Sequence, residues 1–125
     1  MPNIMLVMHR KAIAQGLMAK LQKNADIKLI YEPNYDKAQI NIDSNNAKVA
    51  LIEASESGPY NMGYCLILCN EIRKNTPDCK LLLMCSEQDE KSVKLVIEAK
   101  GKKKIDDFVF YDVTIDYLAS KLMSI

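Results

Sequence analysis

Apolar residues along this chain follow two rhythms, and the rhythms alternate. Ile4-Met5-Leu6-Val7-Met8 is a compact apolar run, as are the stretches led by Lys28 (Leu29-Ile30-Tyr31), Lys48 (Val49-Ala50-Leu51-Ile52), Lys80 (Leu81 to Cys85) and Asp107 (Phe108 to Tyr111). Short unbroken runs of this kind predict strands buried on both faces. Between them, apolar residues recur three and four apart. From Arg10 to Lys23 the stripe is Ile13, Leu17 and Leu21, and from Met62 to Asn75 it is Met62, Cys65, Leu66, Cys69 and Ile72. From Ser86 to about Lys100 it is Val93, Val96 and Ile97, and after Thr114 it is Ile115, Leu118 and Leu122. Such spacing predicts helices with one apolar face. Ala38, Ile40 and Ile42 alternate between Tyr35 and Asn46, which suits a strand as well as a poor helix; a short, irregular helix is assigned there.

Punctuation residues agree with these limits. Pro33 ends the second strand because it cannot donate to a ladder. Ser55 to Asn61, rich in Ser, Gly and Pro, reads as a loop, and Thr76-Pro77-Asp78 stops the third helix. Ser86 is a candidate helix N-cap with Glu87, Asp89 and Glu90 near the positive helix end, Gly101 a candidate C-cap, and Thr114 the cap of the last helix. Five strands and five helices in strict alternation predict a parallel sheet covered on both faces, joined by right-handed crossovers. In such a sheet a site forms at the carboxyl ends of the strands, where the winding reverses. That rule selects Met8 and His9, Glu53, Cys85 and Ser86, and Tyr111.

Composition narrows the function. The chain has 125 residues, 49% of them apolar, with 17 Lys and Arg against 16 Asp and Glu. This predicts one domain, residues 1–125, with an independent core. A net charge of +1 argues against nucleic acid as a partner of this domain. The basic run Lys100, Lys102, Lys103 and Lys104 around Gly101 reads as a solvated loop. The apolar runs are far shorter than the roughly 18 residues a membrane span needs, and the N-terminus lacks the pattern of a signal peptide. A cytoplasmic location with four reduced cysteines is therefore expected.

Taken together, these features resemble the receiver domain of two-component response regulators over almost the whole chain. The resemblance rests on five features. They are the Ile4 to Val7 strand, the Val49 to Glu53 strand ending in an acid, and the Gly58-Pro59 loop. The others are Met84-Cys85-Ser86-Glu87-Gln88-Asp89-Glu90, and Gly101 followed by Asp106-Asp107-Phe108. It implies a flavodoxin-like α/β three-layer sandwich with strand order 2-1-3-4-5 and five helices. It also implies five working positions, and this chain departs at each. Met8 and His9 stand where two acids would hold magnesium, and Glu53 where an aspartate is phosphorylated. Cys85, beside Ser86, stands where a hydroxyl is expected, and Tyr111 where a lysine is. A thioether and an imidazole cannot supply the hard oxygen ligands of magnesium, and without the metal nothing neutralises a transferring phosphoryl group. Glu53 reads either as a permanent negative charge or as a strand-end acid open to water. In the family an aromatic of the fifth strand reports the switch; Phe108 is the candidate here, with Phe110 as the alternative. A thiol is a weak donor and pulls less than a hydroxyl at Cys85.

The resemblance thus implies a degenerate receiver: a regulatory protein-interaction module independent of phosphorylation, with no catalytic residues, no cofactor and no metal. Its partner, another protein or a second copy, is expected on the fourth helix, fifth strand and fifth helix, about Asp89 to Lys100 and Phe108 to Met123. The rival reading is a small flavodoxin-like enzyme or ligand-binding domain using the strand-end cleft. His9, Glu53 and Cys85 could only just furnish three metal ligands. Cys65 and Cys69, one helical turn apart on the apolar stripe, read as core residues. With Glu53 as its expected neighbour, the pKa of Cys85 is expected to rise. The four glycines are isolated and form no phosphate loop.

Overall fold

The computed structural model describes residues 3–24 and 26–125. Its strands are β1 (Asn3–Val7), β2 (Lys28–Glu32), β3 (Val49–Glu53), β4 (Lys80–Cys85) and β5 (Asp107–Phe110). All pair in parallel in the order β2-β1-β3-β4-β5. The helices are α1 (Lys11–Leu21), α2 (Ala38–Ser44), α3 (Met62–Asn75), α4 (Glu90–Gly101) and α5 (Ile115–Ser124). The ambiguous stretch is indeed helical, opening with a 3-10 turn at Tyr35–Lys37.

Successive side chains on a strand point to opposite faces, so the sheet feeds two cores. Met5, Val7, Ala50, Ile52, Leu81 and Leu83 pack under α2, α3 and α4. Ile4, Leu6, Val49, Leu51, Leu82 and Met84 pack under α1 and α5. Burial on both faces explains why the strands read as unbroken apolar runs instead of alternating ones.

Several local expectations change. Asp89, not Ser86, caps α4: its carboxylate accepts the Ser92 N–H at 3.3 Å, while Ser86 Oγ accepts from the Gln88 N–H at 3.1 Å in the preceding turn. Glu87 and Glu90 stand on either side of Asp89, so the cap is set by register, which the sequence leaves open. Gly101 falls inside α4, and the left-handed position that ends the helix is taken by Lys103 at φ 60°. There the Lys104 N–H bonds Ala99 O at 2.9 Å and the Lys103 N–H bonds Lys100 O at 3.0 Å, the paired closure of a Schellman motif. The buried face of α4 is Ser92, Val96 and Ala99, so Val93 is half-buried and Ile97 is 55% exposed. In α3, Leu68 is buried and Leu66 only half so.

Candidate site at the carboxyl ends of the strands

The strand order reverses between β1 and β3, and the cleft that opens there is about 350 Å³, lined by His9, Arg10, Ser55, Glu56, Ser57 and Tyr111. Beneath it lies Glu53, the last residue of β3, whose side chain has no exposure at all. An isolated carboxylate so placed would be severely penalised. The chain end of β1 supplies its partners. Oε1 accepts the backbone N–H of His9 at 3.1 Å and of Arg10 at 3.2 Å, with His9 Nδ1 at 3.3 Å. Arg10 Nε stands 2.9 Å from Oε2, which has that charge beside it but no aligned hydrogen-bond donor. Glu53 is thus neither open to water nor free: it is a buried carboxylate closed over by the β1–α1 turn.

Aromatic side chains wall the carboxylate in. The Arg10 guanidinium lies 4.0 Å from the centre of the Tyr111 ring, within cation–π range. The Tyr111 hydroxyl donates to the Ala54 carbonyl. Burial, then the Glu53 charge, pushes the Tyr111 phenol up, although Arg10 pulls it back down, so it remains a donor at ordinary pH. From the other side, the Tyr35 hydroxyl donates to Glu53 O at 2.6 Å, and the Tyr35 ring stacks on Tyr60 with centroids 4.3 Å apart. Burial chiefly raises the Tyr35 phenol as well.

Of the positions marked in the sequence, His9, Glu53 and Tyr111 come together. Met8 does not: its side chain is fully buried in the α1/α5 core, because it follows β1 in the inward phase. Cys85 is 1% exposed and belongs to the α2/α3/α4 core with Phe108 and Phe110 packed against it. Its thiol is pushed up to about 11 by burial and then by Asp89, which replaces Glu53 as the charged neighbour. Ser86 is buried in its turn. Phe108 and Phe110 sit with centroids 5.7 Å apart, away from the cleft. Arg10 and Tyr35 join the site without having been expected from the sequence: Arg10 opens the first helical stripe but directly follows the cleft residue His9, and nothing local marks Tyr35, which reaches the site across 18 residues.

Magnesium does not fit this donor set. A hard cation wants several oxygen ligands; the Glu53 carboxylate is already paired with Arg10, the Met8 position is turned into the core, and Glu56 is the one acid that lines the cleft itself among the described residues.

No family model matches the chain, and no curated protein does. Solved structures do. A response regulator from Thermotoga maritima superposes with a TM-score of 0.77 at 19% identity, covering 98% of this chain and 94% of that one. The fold is that of a response-regulator receiver domain. A two-component response regulator from Clostridium difficile gives the same TM-score at 20% identity, over 99% of this chain and 94% of that one. An adenylate cyclase from Rhodopirellula baltica reaches 0.80 at 14% identity, over 98% and 84% of the two chains. In this receiver fold the strand-end cleft holds an arginine-closed glutamate.

Proposed function

We propose that residues 1–125 act as a single receiver-like regulatory domain in signal transduction that works without phosphorylation, by presenting a protein-interaction surface. One observation carries this reading: Glu53, in the phosphoacceptor place, is fully buried and covered by Arg10 at 2.9 Å. In-line attack on a phosphodonor needs an exposed carboxylate oxygen and a cation for the transferring group. Here the Arg10 guanidinium lies on the carboxylate oxygens that would have to attack.

The partner surface of this reading is α4, β5 and α5. Asp107 on β5 clasps Lys100 of α4 and Lys121 of α5, which supports a rigid frame. Ile97, Tyr117 and Met123 stay 50–55% exposed on its helices. The test is incubation with acetyl phosphate and magnesium followed by intact-mass measurement. No phosphoryl adduct is expected, and one on Glu53 would overturn the reading. A second reading, ligand binding in the cleft, is favoured by the half-exposed His9 and Arg10 that line it beside Ser55 and Ser57. Ligand-dependent thermal stabilisation abolished by Arg10→Ala would support it.

A further inference from the structure

The sheet face covered by α2, α3 and α4 carries a second feature, which shares no lining residue with the strand-end cleft. Along α3, Ile67 is 67% exposed and stands on a ridge between two depressions, lining both. The depression on the α2 side is about 220 Å³ and contains Asp36 and Glu71 beside Tyr64; no Lys or Arg lines it. The depression on the α4 side is about 320 Å³, floored by Leu66 and Leu95, and bears Lys102 and Lys104. Its one acid, Glu98, is tied to Lys102 at 2.7 Å, so Lys104 has no carboxylate partner among the described residues. On the α2 side Ile40 is 70% exposed.

Acid on one flank, base on the other and an apolar ridge between them make a face complementary to itself. A two-fold axis lying in the interface, passing over Ile67 and running along α3, sets the two faces against each other and exchanges the flanks. It brings Glu71 of one copy toward Lys104 of the other, twice, because Lys104 lies level with the C-terminal half of α3, where Arg73 Nε donates to its carbonyl at 3.3 Å, and it sets Ile67 against Ile67. That is the requirement for an isologous interface. We propose that the α2–α3–α4 face pairs two copies of this chain in this manner, apart from the α4–β5–α5 surface and independently of it. The competing local pair, Glu71 with Lys74 at 3.8 Å, is exposed and offers little resistance. The 14 residues of α3 span about 21 Å, and helix spacings of about 8–10 Å make the face roughly 20 Å square. That is smaller than a standard specific interface and in the range of transient encounters, so a weak, reversible dimer is expected.

Sedimentation velocity from about 10 μM to about 1 mM, the range where a small interface assembles, tests this. The sedimentation coefficient is expected to climb from monomer toward dimer, and less so in high salt. Ile67→Ser, at an exposed position that leaves the fold intact, is expected to hold the protein monomeric. Glu71→Lys and Lys104→Glu each place like charges across the axis and are expected to weaken association at least tenfold. An equimolar mixture of those two variants places opposite charges at both contacts and is expected to associate again. A wild-type protein monomeric throughout, an Ile67→Ser protein that still dimerises, or a mixture no better than its components would each overturn the proposal. So would loss of the dimer in Tyr117→Ser with Ile67→Ser unaffected, which would move the interface to α5.

Discussion

Arg10 lies between the Tyr111 ring, 4.0 Å from its guanidinium carbon, and the Glu53 carboxylate, 2.9 Å from its Nε. The β1–α1 turn is thereby fastened to the ends of β3 and β5. Each partner answers a deficit of another. Glu53 needs a charge because it is buried, and Arg10, 46% exposed, keeps one edge in water. The Tyr111 ring shields the pair while its hydroxyl bonds the Ala54 carbonyl.

Removing Arg10 leaves a buried carboxylate with two backbone donors and no cation. Breaking a fully buried pair costs about 3–5 kcal/mol, and the half-exposure of Arg10 reduces this to about 1–3 kcal/mol, which urea unfolding of Arg10→Ala will read. Arg10→Ala with Glu53→Gln removes charge from both partners and is expected to recover part of the loss. A double variant no more stable than Arg10→Ala would show that the ion pair is not what Arg10 contributes.

Rebuilding a phosphorylation site by simple replacement is expected to fail at Met8. Its side chain packs in the α1/α5 core with Leu17, Leu51 and Leu118, so Met8→Asp puts an unpaired polar group among hydrocarbons. The loss is expected to be at least about 3 kcal/mol, as a lowered urea midpoint or failure to fold, whereas His9→Asp at the half-exposed neighbouring position leaves the protein folded. Equal stability of the two variants would contradict the placement of Met8.

All four cysteines are free and buried. Burial, then Glu53, pushes the Cys65 thiol up to about 12, and burial, then Asp89, pushes Cys85 up to about 11. Since the thiolate is the reactive form, native protein is expected to react with iodoacetamide far more slowly than urea-unfolded protein at neutral pH. Mass mapping that found one rapidly labelled cysteine would show that its segment opens.

Acid stability should report the Asp107 clasp. Burial opposes its charge, but hydrogen bonds from Lys121, Lys100 and the Phe108 N–H outweigh this and hold its carboxyl down at about 2, from 3.8. A carboxylate depressed in the folded state stabilises fully above its unfolded value and loses that contribution as pH falls toward the folded value. Stability is therefore expected to fall between about pH 4 and pH 2, and Asp107→Asn to flatten that part of the profile. An unchanged acid limb in Asp107→Asn would assign the loss to other carboxylates.

The sequence by itself determined the architecture. Runs such as Ile4 to Val7 and Leu81 to Cys85 are short and apolar throughout, as strands covered on both sides are, and their alternation with helical stripes left few topologies open. It also placed His9, Glu53 and Tyr111 at one end of the sheet, because strand ends are countable along the chain. What it could not determine was the state of those residues. Whether Glu53 meets water or Arg10, whether Met8 faces the cleft or the core, and whether Cys85 lies beside Glu53 or Asp89 depend on the phase of each turn as it leaves its strand. One residue of phase reverses the direction of a side chain. Tyr35, whose hydroxyl meets the Glu53 carbonyl from 18 positions away, has no local signature at all. Contacts of that kind arise only when separate elements pack together, and tertiary structure alone decided them.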